Sequence, residues 1–298
     1  MSWETALDNR IHDYLPDLKW VENEPMAKHT SFRIGGPARR MAFPKTREQL
    51  VVLMGFLQDA GVKPLLIGNG TNLLVSDEGL DTVVIDTSAE LSRLDLTGDG
   101  DITADAGVSL ATLAVFAWKN GLKGLAFAHG IPGTLGGGIV MNAGAYGGEL
   151  KDVVTEVTAL YPDGVKVLTP AQLDFSYRHS VFSAGEGIVL GAKLKLETGD
   201  KDAIKAEMDE LMARRKASQP LELPSAGSTF KRPAGYFAGT LIEGCGLKGC
   251  RVSPKHAGFV VNVGGATCAD VLALIEKVRK TVYDAHGVML EPEVKIIR

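Results

Sequence analysis

The chain has 298 residues, 45% of them hydrophobic and 23% charged, with a net charge of −4. That length suits two or three lobes better than one core, and the composition is that of an ordinary globular protein. The acidic balance argues against a general nucleic-acid binder, and no apolar run approaches the roughly 20 residues that span a bilayer. The mixed, acidic first twenty residues do not read as a signal peptide, so the expected compartment is the cytoplasm. Cys245, Cys250 and Cys268 form no C-x-x-C pair and read as free packing thiols.

Thr46-Arg-Glu-Gln49 is a capping-box pattern that predicts a helix to about Ala60, ended by Gly61. Residues 64–67, 73–75 and 83–85 read as short buried strands. Ser109 caps a predicted helix to Asn120, closed by Gly121. Residues 153–161, 166–168 and 188–196 show β-branched residues and alternation, with a Pro162-Asp-Gly164 turn between the first two. A charged helical stretch over 201–217 follows a composition shift near 198–200. Beyond it the pattern predicts a short helix over 237–243, a strand over 259–263, a long helix over 269–286 and a last strand over 294–297. Strands and helices that do not alternate regularly point to an α+β fold. The boundaries fall at 1–85, 86–199 and 200–298, with the last strand, about 293–298, packing back on the first lobe.

Residues 130–148, GIPGTLGGGIVMNAGAYGG, hold eight glycines in nineteen residues and no charge. Glycine lets backbone come close to a ligand, so such a segment suits amides that cradle an anion. Gly68-Asn-Gly-Thr-Asn72 is a second neutral loop, set between two predicted strands. It is not a Rossmann fingerprint, because Leu73 stands where the third glycine belongs and no helix follows. No G-x-x-x-x-G-K-[ST] P-loop is present either. Two neutral loops of this kind can grip a dinucleotide by its backbone contacts, and no metal-ligand spacing appears.

Taken together, several segments resemble the UDP-N-acetylenolpyruvoylglucosamine reductase family. They are Leu66–Asp77, Gly130–Glu149, His29–Pro37, Ser176-Tyr-Arg-His-Ser180, Ser225–Pro233, Leu247-Lys-Gly249, Lys255–Phe259 and Leu290–Val294, in the family's order over roughly 25–298. The resemblance implies a two-lobed, non-Rossmann FAD-binding region of the PCMH/VAO type over 1–199, and a smaller α+β substrate-binding domain over 200–298. It implies noncovalent FAD and NADPH as reductant, a UDP-sugar as substrate, and a monomer that binds neither nucleic acid nor membrane. The implied reaction converts the enolpyruvyl ether of UDP-N-acetylglucosamine to UDP-N-acetylmuramate, for peptidoglycan. Hydride comes from reduced FAD.

On that resemblance the catalytic residues are Arg178, Ser228 and Glu293. Arg178, a permanent cation with a planar fork, holds the carboxylate and the charge that develops beside it. Ser228 donates the proton, and Glu293 is the acid or polarising group, with Glu291 two residues away as its rival. The FAD contacts fall on Arg33, Gly68, Asn69, Gly70, Thr71, Asn72, Gly130, Ile131, Pro132, Gly133, Thr134, Gly136, Gly137, Asn142, Gly144 and Tyr177. The substrate contacts fall on Lys216, Tyr146, Lys231 and Lys248, with Lys216 first for the diphosphate.

Three departures stand out. The chain between Arg178 and Ile188 is short, as in the subgroup without the tyrosine-bearing insertion. Only Cys250-Arg251-Val252 occupy a turn that is longer in the family, and His129 stands where small residues are common. Histidyl–flavin bonds occur in the wider superfamily. Two other readings are an FAD-dependent alcohol or sugar oxidase and an inactive nucleotide-binding module; a carbanion proton donor has no use in the first.

Overall fold

The computed structural model describes residues 2–244 and 252–298. The chain folds as two compact units that interleave in sequence. The larger comprises Met1–Val21, Met41–Asn69 and Val83–Arg214; the smaller comprises Glu22–Arg40, Gly70–Thr82 and Arg215–Arg298. Residues 22–40 and 70–82 thus cluster with the carboxy-terminal region, not with the rest of the amino-terminal lobe. The chain changes unit inside three strands, Lys19–Pro25, Pro37–Phe43 and Leu80–Asp86.

The larger unit is built on a five-stranded antiparallel sheet in the order Gly164–Leu168, Val154–Tyr161, Ile188–Lys195, Asp101–Asp105, Leu94–Leu96. The turn at residues 162 and 163 joins the first two as a hairpin, as the Pro-Asp-Gly signal requires. The helix Leu110–Lys119 packs Leu110, Leu113, Ala114 and Ala117 into this core. Its start is fixed by Ser109, whose Oγ accepts from Thr112 N at 3.0 Å. A second core joins the helices Trp3–Tyr14 and Arg47–Asp59, with Leu50, Leu53 and Leu57 buried on one face of the latter. Thr46 caps that helix through Gln49 N, but Gln49 Oε1 reaches back to Lys45 N, one residue earlier than a capping box requires.

Within the glycine-rich segment, Leu135–Val140 is a helix and not the loop its composition suggests. Thr134 caps it, accepting from Gly137 N at 3.4 Å. At Gly136 and Gly138 the helix packs too closely for side chains. A Cβ on Gly136 would lie 2.9 Å from Ala106 Cβ, and one on Gly138 would lie 2.8 Å from Leu150 Cδ1.

The smaller unit is organised by the helix Cys268–His286, which buries Val271, Ile275, Val278 and Val282 at helical spacing. Against these residues pack Phe32, Ile34, Leu74, Ala226, Phe230 and Leu241. The helix Ala238–Gly244 matches the predicted short helix, and the last strand, Lys295–Ile297, runs parallel to Leu73–Val75. The strand predicted over 259–263 is a correction: it reduces to a single bridge between Val252 and Val260. Its amides go to unrelated partners, Val260 N to Thr229 Oγ1 and Asn262 N to Pro224 O, so no ladder forms. Cys268 is buried, and burial together with the neighbouring Asp77 raises its thiol pKa, as befits a packing thiol.

Asp77 caps the long helix from outside it. Its two carboxylate oxygens accept from Cys268 N at 2.8 Å and Ala269 N at 3.2 Å, next to the Thr267/Asp270 capping box. A carboxylate on two helix N-terminal amides combines capping with a favourable dipole interaction. Asp77→Ala is expected to lower the unfolding free energy by about 1–2 kcal/mol, read from urea unfolding curves. An unchanged midpoint would remove this cap from the stabilising contacts.

Candidate flavin site and catalytic residues

In the larger unit the two neutral loops meet. Asn69 Nδ2 donates to Pro132 O at 2.6 Å, and a Cβ on Gly68 would lie 2.2 Å from Thr134 Oγ1. Only glycine permits that approach. Gly130, Ile131 and Gly133 are half-buried, while Asn69, Pro132 and Gly137 are exposed. The amides of Leu135, Gly136 and Gly137 are committed internally, to Val108 O, Ala106 O and Thr134 Oγ1. Gly136 and Gly137 therefore shape the wall, and the surface left to a ligand is the loop before the helix.

In the smaller unit, Gly70 (φ +58°) lies against the backbone of His29, where a Cβ would be 2.0 Å from the carbonyl oxygen. Thr71 is half-buried beside it. Asn72 Nδ2 donates to Glu293 O at 3.1 Å, and Asn72 O accepts from Lys295 N. Arg33 is exposed at the end of a turn closed by Arg33 N on Thr30 O.

Arg178 lies in the larger unit. The turn that carries it is closed by Ser176 and His179, whose amides donate to each other's carbonyls at 3.2 Å. Its guanidinium donates to Gly144 O at 3.4 Å and lies 5.3 Å from the ring centroid of the exposed Tyr177. Tyr146, 40% exposed, rises from the adjacent hairpin, with the Arg214 guanidinium 5.0 Å from its ring centroid. Nothing in the basic run Arg214-Arg215-Lys216 singled out Arg214; only the fold shows which member meets an aromatic ring. Lys216 is exposed on the helix Lys201–Ser218. Asn142 is buried, and its side chain is taken up by Glu149, Ser176 and Lys151.

Ser228 and Glu293 belong to the smaller unit, on two segments that pair. Glu293 N donates to Thr229 O at 2.8 Å, Lys231 N donates to Glu291 O, and Phe230 bridges Pro292. Ser228 Oγ is half-buried and donates to Phe230 O at 3.4 Å. Glu291 forms an ion pair with Lys231 at 2.5 Å. That pair also engages Lys231, one of the expected phosphate contacts. Lys248 lies outside the described residues, as do Cys245, Cys250 and Arg251.

Among the described residues, six non-glycine residues have left-handed backbone: Asn23, Arg33, Asn142, Tyr146, Asp174 and Arg178. Four of them are candidate site residues. Each such residue costs on the order of 1–3 kcal/mol, less for Asn, so the surrounding structure must hold it there.

The fold and the paired glycine loops define a flavin-dependent oxidoreductase. A model of the FAD binding domain matches residues 38–169, and a model of the UDP-N-acetylenolpyruvoylglucosamine reductase C-terminal domain matches 219–297. The UDP-N-acetylenolpyruvoylglucosamine reductase of Caldanaerobacter subterraneus subsp. tengcongensis is 48% identical over 297 residues, 98% of each chain. That of Clostridioides difficile is 47% identical over 281 residues, 92% of each chain. The crystal structure of UDP-N-acetylenolpyruvylglucosamine reductase from Thermus caldophilus superposes with a TM-score of 0.81 at 35% identity, covering 94% of this chain and 99% of the other. The chain belongs to the UDP-N-acetylenolpyruvoylglucosamine reductase family, and its cofactor is FAD. The residues fit that group: an uncharged wall, a loop at Gly68 that tolerates no side chain, and an Asn69 amide that ties the two loops.

Gly68→Ala is expected to weaken FAD retention at least about ten-fold, because the loop must retreat from Thr134. Flavin absorbance per protein and fluorescence titration read this. Full retention with a native circular-dichroism spectrum would show that the close approach is dispensable.

His129 and His256 bear on acid stability. Burial holds both below the ordinary histidine range, with Lys205 adding to the effect at His129. His129 Nδ1 is buried without a hydrogen-bond partner among the described residues, and His256 Nδ1 accepts from Gly258 N at 3.0 Å. The unfolded chain gains protons on both as pH falls through about 6.5, while the folded chain resists until lower pH. Stability is therefore full above that value and declines below it. Urea midpoints between pH 7.5 and 5.5 should fall, and His256→Gln should fall less steeply; parallel curves would exclude His256 as a contributor.

Proposed function

We propose that the protein reduces the enolpyruvyl ether of a UDP-N-acetylglucosamine derivative to the lactyl ether, with NADPH as reductant, in peptidoglycan precursor synthesis. Near-full-length similarity to reductases named for this substrate supports the reading. The observation that carries it is the pairing of Thr229 with Glu293, which holds a hydroxyl and a carboxylate on neighbouring segments of one unit. A proton transfer needs such a pair in fixed register. Residues 1–199 serve the flavin and 200–298 the sugar nucleotide, in a cytoplasmic, monomeric enzyme.

Gly68, Asn69, Gly70, Thr71, Asn72 and the 130–134 loop hold the FAD, which when bound supplies the hydride chemistry. Hydride addition at the substrate's β-carbon leaves negative charge on the α-carbon and its carboxylate. Arg178 neutralises that charge with a cation that cannot deprotonate. Ser228 supplies the proton to the α-carbon, with Glu293 as the group that polarises or reprotonates it. Lys216 holds the diphosphate, and Tyr146 packs on the sugar nucleotide.

Ser228→Ala should leave flavin reduction by NADPH intact and slow reoxidation by the UDP-enolpyruvyl sugar by about 10²–10⁴-fold in stopped-flow absorbance. An equal fall in both half-reactions would make Ser228 structural. Oxygen-dependent oxidation of an alcohol without NADPH would overturn the whole reading.

A further inference from the structure

Asn142 was expected to touch the flavin, yet its polar atoms are spent inside the protein. It is 1% exposed, with φ +40°. Its Nδ2 donates to Glu149 Oε2 at 2.6 Å and to Ser176 O at 3.1 Å, and its Oδ1 accepts from Lys151 N at 3.0 Å. These partners lie on two segments. Glu149 pairs with Gly144 at the base of the hairpin that carries Tyr146. Ser176 begins the turn that carries Tyr177 and Arg178. The Arg178 guanidinium reaches back to Gly144 O in that same hairpin.

We infer that Asn142 is the positioning residue for Arg178: one buried amide fastens the hairpin to the turn and so sets where the guanidinium fork stands. The inference rests on the reading of Arg178 as the group that holds the substrate carboxylate. An amide is the side chain that suits the place. A carboxylate would lose both donors and face Glu149 with a second negative charge, and a small apolar residue would leave Ser176 O and Glu149 without this donor.

The test uses Asn142→Ala, Asn142→Asp, Arg178→Ala and the Asn142→Ala/Arg178→Ala double variant of the FAD-loaded enzyme. Flavin absorbance, the FAD dissociation constant, the rate of reduction by NADPH and the rate of reoxidation by the UDP-enolpyruvyl sugar are each measured. Both Asn142 variants should match the parent in the first three and lose about 100-fold in the fourth, the scale of a misplacement near 1 Å. In the Arg178→Ala background the Asn142 change should cost less than about two-fold more, because the group it positions is gone. An equal loss in both backgrounds, or weaker FAD binding with an unchanged sugar step, overturns the inference. If Arg178→Ala itself leaves the sugar step intact, the reading of Arg178 fails and takes this inference with it, a result distinct from the other two. Should Asn142→Ala not fold, Asn142→Asp, which keeps the volume and tolerates the left-handed backbone, carries the same comparison.

Discussion

The packing of the Leu135–Val140 helix governs the larger unit. It lies so close to its neighbours that Cβ atoms at Gly136 and Gly138 would overlap Ala106 and Leu150. Its first two amides satisfy the carbonyls of Val108 and Ala106 just beyond the strand Asp101–Asp105. The helix is thereby joined to the sheet by backbone bonds as well as apolar contact. Its cap, Thr134, is also the residue that Gly68 approaches. One tight contact thus joins the helix cap to Gly68.

A different economy operates around Arg178 and Tyr146. There the backbone is left-handed at Asn142, Tyr146, Asp174 and Arg178, and side-chain hydrogen bonds of Asn142 join the short hairpin ladder to the turn at 176–179. Elsewhere in this unit charge is used for rigidity. Arg47 donates to Asp105 at 2.6 Å, with both groups largely shielded, and its guanidinium fills space that only Gly191 leaves open. Removing one partner of such a shielded pair typically costs about 3 kcal/mol or more. Near that sheet an ion pair joins two segments, whereas the hairpin and the turn are joined by the neutral Asn142 amide.

Much of this was legible in the sequence. Capping residues Thr46 and Ser109, the Pro162-Asp-Gly164 turn and the apolar spacing of Val271 to Val282 each act locally, and each element formed where it was read. What escaped depended on partners far along the chain. The run over 259–263 has strand-like residues, but its amides are claimed by Thr229 and Pro224. Gly136 and Gly138 looked like loop residues because composition reports backbone freedom and not the crowding that demands it. Asn142 reads in the sequence as a ligand contact; its hydrogen bonds to Glu149, Ser176 and Lys151 are internal ones that no local signal encodes. The ion pair of Glu291 likewise depends on Lys231, sixty residues upstream.

The interleaving of the two units has a consequence for synthesis. The smaller unit takes residues 22–40 and 70–82 from the first third of the chain and residues 215–298 from the last. Its strand Leu73–Val75 finds its parallel partner only when Lys295–Ile297 leaves the ribosome, more than two hundred residues later. Phe32, Ile34 and Leu74 share a core with the helix Cys268–His286, so that core is complete only after the helix has been made. Contacts this distant in sequence make folding slow and leave apolar segments waiting during translation.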